Sequence, residues 1–508
     1  MSNVAVATTS LLAADAAREL AAAGGNAVDC ALAAALLTIN TEPGVCALAG
    51  SSFITIWQEG GDPITIDGNV TVPGAGLAPA ERGLGAVSIS IDYGGGIETL
   101  VGPGSVSVPG SLAAIESAWK KFGAASWEAI FAPTIRATRD GFPLSAACHY
   151  YLGYSGDCIF DRSADGHNAL HHADGSLRDA GSTIVIPHLS DTLEAISREG
   201  ARLFYEGELG ATIADHCRNG DGMLTREDLA SYRAIERQSL VADIGGWSIA
   251  TNPAPAVGGS VLAAMLLSCS GLQPHTWNSE TLSQLIQTQR ACLDFRMQNL
   301  DLAEDVGSEA ARLIESARSG RLLSRWTSAS TVHTSVVDSN GTGCAITASS
   351  GYGSGEMPEG TGLWLNNCLG EIELNRRGLD AGPVGSRLPS NMAPSVARRD
   401  GAVLAVGSPG ADRITTALQQ FLINYLLFEM PLEEAIAHPR IHIDTSGEVV
   451  RLMAEAGLEL PDTDLPISEF LKPSMYFGGV GAAVYDSATG LACGADPRRE
   501  GGTCIYEH

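Results

Sequence analysis

Residues 330–338 read Ser-Thr-Val-His-Thr-Ser-Val-Val-Asp, and the chemistry open to them centres on Thr331. A threonine hydroxyl is a weak nucleophile unless a base stands within hydrogen-bond reach. A break between Ser330 and Thr331 would supply that base within one residue, because Thr331 would then carry a hydroxyl and a free α-amine together. Such an amine has a reference pKa of about 7.7–8.0, suited to general-base work near neutrality. His333 is the nearby titratable group; with the amine filling the base role, it is read as a packing or hydrogen-bonding residue. The bland alternative for Thr331 is an ordinary strand threonine.

The surrounding pattern positions Thr331 at the start of a strand. Residues 331–337 alternate, with Val332, Thr334 and Val336 on one face and Thr331, His333, Ser335 and Val337 on the other. Asn340-Gly341 is a tight-turn signal, and Cys344 to Thr347 makes the second arm of a hairpin. Upstream, helices are predicted over 10–23 (Ser10 as cap, Gly24-Gly25 as stop) and over 26–38, which is apolar nearly all round and so buried. A strand follows at 49–57, then strand, turn and strand over 64–73. Further helices are predicted at 111–121, 127–139, 190–199, 205–217, 260–269 and 280–303. Residues 150–185, polar and rich in His and Gly, predict a long surface loop, with His149, His167, His171 and His172 as surface residues lacking helical metal spacing. Residues 316–330 predict an exposed junction suited to cleavage. Beyond the hairpin come a second one (394–399 with 402–407), a helix over 414–428 and strands near 441–452 and 477–486. Strands and helices mix without a regular β-α-β rhythm, which predicts an α+β fold.

Composition narrows the function. The 508 residues carry 31 Lys and Arg against 58 Asp and Glu, a formal charge of −27. That balance argues against nucleic-acid partners and anionic membrane surfaces. No run of about 20 apolar residues and no basic-then-apolar leader is visible, which predicts a cytoplasmic protein. Eleven scattered cysteines form no C-x-x-C pair and read as reduced and mostly buried. Residues 219–228 lack the acidic order of a calcium loop, and G-x-S-x-G, P-loop and H-E-x-x-H motifs are absent. The expectation is an enzyme without metal or cofactor.

Several segments, in order, resemble the γ-glutamyltranspeptidase family of N-terminal nucleophile hydrolases. They are Gly24 to Asp29, Val106 to Gly110, Ala132-Pro133 through Pro143, Leu224 to Tyr232, Pro255 to Gly259, Thr331 to Asp338, Gly407 to Ile414, and Asp496 to Arg499. The resemblance spans nearly the whole chain. It implies a four-layer αββα sandwich made as one precursor that cleaves itself into residues 1–330 and 331–508, two intertwined fragments of one unit. It implies Thr331 as nucleophile and the backbone N–H groups of Gly410 and Ala411 as oxyanion donors at a helix start. The partners implied are a small-molecule amide and the two fragments themselves, with a homo-oligomer left open.

The substrate-binding positions depart from the family pattern. The family's α-carboxylate-binding Arg aligns with Asn69, and its serine pair with Ser390 and Asn391. Neither Asn nor Ser replaces a charged, bidentate clamp. On the α-amine side Cys368 stands for a Gln, and Glu371 for the acidic residue. The loop 349–352 is short and lacks the family's Thr-x-Asn pattern, leaving Ser349 as the nearest candidate to support the nucleophile. These departures predict an amide substrate other than glutathione. The alternatives are a true γ-glutamyltransferase or glutathione hydrolase, and an uncleaved, non-catalytic homologue acting as a binding or scaffold protein.

Overall fold

Pairing on both sides carries the strand after Thr331 into the middle of a sheet. The computed structural model describes residues 2–92, 96–319, 331–445, 449–499 and 501–508. Val332–Asp338 runs antiparallel to Val4–Thr8 on one side and to Gly343–Ser349 on the other. The hairpin closes where the Asp338 carboxylate accepts the N–H groups of Asn340 and Thr342, both at 3.0 Å. The seven-stranded antiparallel sheet has the order Gly502–Tyr506, Val4–Thr8, Val332–Asp338, Gly343–Ser349, Ser51–Trp57, Ile64–Gly68, Ile235–Gln238. A six-stranded antiparallel sheet runs Gly490–Ala495, Gly481–Asp486, Ala402–Gly407, Ser395–Arg399, Trp247–Thr251, Leu240–Ile244.

The period-two alternation sorts side chains between two interiors. Ala5, Val337 and Ala345 of the first sheet meet Val396, Val403, Ala405 and Ala483 of the second. Val332 and Val336 point the other way, into the core under helices Leu11–Ala22, Ala27–Thr41 and Ser111–Phe122. Helices Val257–Cys269 and Arg413–Leu422 cover the outer face of the second sheet. The layers are helix, sheet, sheet, helix: the predicted α+β sandwich. Ala27–Thr41 is buried along its whole length, and its start is fixed by reciprocal bonds between Asn26 and Asp29.

Some local expectations give way. Residues 150–185 are not one long loop: they contain the end of helix Ala146–Ser155, a turn at Phe160–Arg162 and helix Ala164–Leu170. Ser145 and Ser163 cap the two helices, and Tyr151, Leu152, Phe160 and Leu170 anchor them in the core. The surface reading fails for His171, which is buried. His167 and His171 do have helical spacing: they lie one turn apart with rings stacked at 4.3 Å. The helix predicted at 205–217 is two, Arg202–Tyr205 and Glu208–Asn219, parted at Gly207. Residues 70–73 form no second strand; Thr71 makes single bridges to Val108 and Arg387. Residues 316–318 still belong to helix Val306–Arg318 and Ser319 caps it, while the rest of the predicted cleavage junction, through Ser330, lies outside the described residues. No helix among the described residues is long and apolar enough to cross a membrane.

Candidate active site

Thr331 is buried just ahead of its strand and lines a cavity of about 20 Å³, room for little more than a water-sized group. Asn69, Ser349, Cys368, Glu371, Ser390 and Asn391 line the same cavity. Ser51, Val70, Leu374, Pro389 and Met392 complete the lining, and sequence reasoning missed them.

Each polar side chain is held by its element. Ser349 ends the second hairpin strand opposite Ser51, whose hydroxyl donates to the Ser349 carbonyl at 3.1 Å. The Ser349 hydroxyl accepts the Gly351 N–H at 3.2 Å. Asn69 follows strand Ile64–Gly68; its amide donates to the Leu388 carbonyl at 2.6 Å, and its own carbonyl accepts the Tyr232 hydroxyl at 2.6 Å. The Ser390 carbonyl accepts the N–H groups of Val257 and Gly258 at 2.9 Å each, docking this loop on the start of helix Val257–Cys269. Asn391 donates to Asp412 at 2.6 Å, and buried Arg296 bonds the same carboxylate oxygen at 2.6 Å.

Gly410 and Ala411 are not among the cavity-lining residues. Both adopt positive φ, +126° and +66°, immediately before helix Arg413–Leu422. A side chain at Gly410 would meet Gly478 Cα at 2.7 Å, so glycine is required there. Their link to the cavity is the Asp412–Asn391 bond.

The carboxyl in the cavity lining is that of Glu371. It is fully buried, and its Oε1 has no hydrogen-bond partner among the described residues. Burial, then the neighbouring Glu373, pushes its pKa up to about 8, so near neutral pH the carboxyl is protonated and can donate. Glu373, which the sequence did not single out, is raised to about 7 by burial and accepts the Tyr352 hydroxyl at 2.9 Å. Gly351 must be glycine, since a Cβ would stand 2.9 Å from the Glu371 carboxyl carbon. Burial, with Glu371 alongside, raises the Cys368 thiol well above its ordinary range, which suits a structural role. No Arg or Lys lines the cavity among the described residues. Arg387, just before this loop, is taken up by Asp67 at 3.2 Å and by the Tyr232 ring at 4.7 Å.

His333 lies between the sheets, its nitrogens bonded to Thr347 at 2.8 Å and Ser335 at 2.7 Å. Burial lowers its pKa to about 3, leaving it neutral and fully engaged, as the packing reading expected.

The gamma-glutamyltranspeptidase family model matches residues 13–506. The chain belongs to that family. It is 27% identical to the glutathione hydrolase proenzyme of Escherichia coli, over 87% of this chain and 80% of the relative. It is 28% identical to the acylase ACY 1 proenzyme of a Pseudomonas species, over 88% and 83%. A cephalosporin acylase from Bacillus halodurans has the same fold, with a TM-score of 0.79 at 21% identity over 100% of this chain and 96% of that one. With these relatives, this gamma-glutamyltranspeptidase-family chain is an amide hydrolase or acyltransferase.

Proposed function

We propose that the protein is a self-processing amidohydrolase in which Thr331 forms an acyl-enzyme with an amide other than glutathione. In the precursor, the Thr331 hydroxyl attacks the Ser330 carbonyl carbon. The peptide C–N bond breaks, the nitrogen takes the proton, and an ester remains. Water hydrolyses the ester, leaving a Ser330 carboxylate and Thr331 with a free amine. That amine then takes the hydroxyl proton as Thr331 attacks substrate, and passes it to the leaving amine. Water or a second amine resolves the acyl-enzyme. In this reading Gly410 and Ala411 donate to the oxyanion, Ser349 supports the nucleophile, and Asn69, Ser390, Asn391, Cys368 and Glu371 bound the acyl group.

The observation that carries the substrate reading is the cavity around Thr331, lined by amides, hydroxyls and one carboxyl raised to about 8, with no cation among its described lining. A free α-carboxylate placed there would lose its water shell with no counter-charge. A small neutral acyl group has no charge to desolvate, and the lining must part to admit it, since the cavity holds about 20 Å³. The proenzyme names of two relatives support processing, and the acylase names support acyl groups beyond γ-glutamyl.

N-terminal sequencing of active protein should find a second start at Thr331. Purified enzyme should then turn over anilides of small neutral acyl groups faster than a γ-glutamyl anilide. A faster γ-glutamyl rate would return the protein to the glutathione-hydrolase reading while leaving the nucleophile in place.

A further inference from the structure

We infer that Asp161, His167 and His171 are the protein ligands of a divalent transition-metal ion of the zinc type. The Nδ1 atoms of His167 and His171 stand 3.1 Å and 3.3 Å from Asp161 Oδ1, and one donor atom from each of the three residues lies within 4.8 Å of the others. Two ligands about 2.0–2.1 Å from a common ion at the tetrahedral angle stand roughly 3.3 Å apart. Asp161 Oδ1 is shielded from water and makes no hydrogen bond of good geometry among the described residues. The backbone supplies the rest: His167 within helix Ala164–Leu170 and His171 at its C-cap set the two imidazoles one turn apart, and the Phe160–Arg162 turn brings the carboxylate to them. The His167 side chain is 39% exposed and that of Asp161 25%, which gives an ion its entry path and leaves room for water as the remaining ligand. Two imidazoles with one carboxylate favour zinc, cobalt or nickel over magnesium or calcium, which prefer all-oxygen shells.

The site backs onto the loop behind the catalytic cavity. Phe160 meets Trp364 edge-on at 5.7 Å and leaves Gly353 no space for a side chain, since a Cβ would lie 2.8 Å from its ring. Arg162 pairs with Glu356 at 3.1 Å, and the Tyr151 hydroxyl donates to the Tyr352 carbonyl at 3.2 Å. An ion tying the helix to the turn would thus brace residues 352–356 from behind. His171 Nδ1 also lies 3.1 Å from the His167 carbonyl, so ligation through that nitrogen replaces a local contact.

The test uses the full chain, stripped with chelator and titrated with cobalt(II). Expected are ligand-field bands of a nitrogen- and oxygen-bound ion, displaced by zinc, with a melting temperature that rises on zinc addition and returns with chelator. X-ray absorption of bound zinc should show nitrogen and oxygen neighbours alone. Asp161→Asn and His167→Gln should each weaken binding at least about tenfold. His167 is part-exposed, so His167→Gln should keep the metal-free circular dichroism. Stripped wild type that gains neither bands nor melting temperature, sulfur neighbours around the zinc, or bands unchanged in folded His167→Gln would each overturn the assignment.

Discussion

At the residue scale, the proposed chemistry joins a nucleophile to a carboxyl kept neutral beside it. Thr331→Ala should leave the chain in one piece by intact mass and without amide turnover, while Thr331→Ser should retain some of both, because only the hydroxyl and the later amine are needed. Glu371 makes a second prediction. The amine must be unprotonated, so the rate should rise through its pKa; Glu371 must be protonated, so the rate should fall above about 8. Glu371→Gln stays neutral and should lose the descending limb of the pH–rate profile. The same shift bears on stability. A folded pKa above the unfolded value of about 4.3 means that the folded state holds the proton more tightly. Stability from this group therefore falls as pH rises from about 4 to about 8, and denaturant titrations of Glu371→Gln should be flatter across that window. A wild-type rate that stays level well above pH 8 would remove Glu371 from the reaction.

At the element scale, the C-terminal tail fixes the segment beneath the Gly410 loop. Asp496 pairs with Arg440 at 2.7 Å and Arg498 at 3.1 Å, and accepts the Val480 N–H at 2.8 Å. Against the penalty of burial, the two arginines hold Asp496 below the usual carboxylate range. The adjoining Gly479 N–H donates to the Ser408 hydroxyl at 3.0 Å, two residues before Gly410. Asp496→Ala leaves buried Arg440 without a carboxylate, while Arg498 keeps Glu455, and should cost about 3–5 kcal/mol in urea unfolding; a loss under about 1 kcal/mol would show that Arg440 finds another partner. Elements of this kind were unevenly legible. The strand after Thr331 could be read because the β-branched Val332, Thr334 and Val336 recur at every second position and an Asn-Gly turn follows. Helix Ala164–Leu170 could not: at seven residues it is too short to show a 3.6-residue period, and its buried residues are few among Asp, Gly, His and Asn. The site divided in the same way. Thr331, Asn69 and Ser390 sit in segments with a recognisable order. Glu373 and Tyr352 gain their setting only from tertiary contacts, through each other and through Tyr151.

At the scale of the molecule, both sheets are built from both sides of the Ser330–Thr331 bond. In the first sheet Val4–Thr8 lies between Gly502–Tyr506 and Val332–Asp338, so an upstream strand is held on each edge by a downstream one. In the second, Trp247–Thr251 pairs with Ser395–Arg399 across the same divide. The layer between the sheets likewise joins Ala5 to Val337 and Val403. Cutting one peptide bond removes none of these contacts, and neither fragment holds either sheet complete. Processed protein should therefore elute from a sizing column as one particle with the mass of the uncut chain, while a denaturing gel resolves two bands. In urea the fragments should part only as the far-ultraviolet circular dichroism is lost, in a single transition. Fragments that separate while the sheet signal persists would mean that each side holds a fold of its own, against the interleaving of the strands.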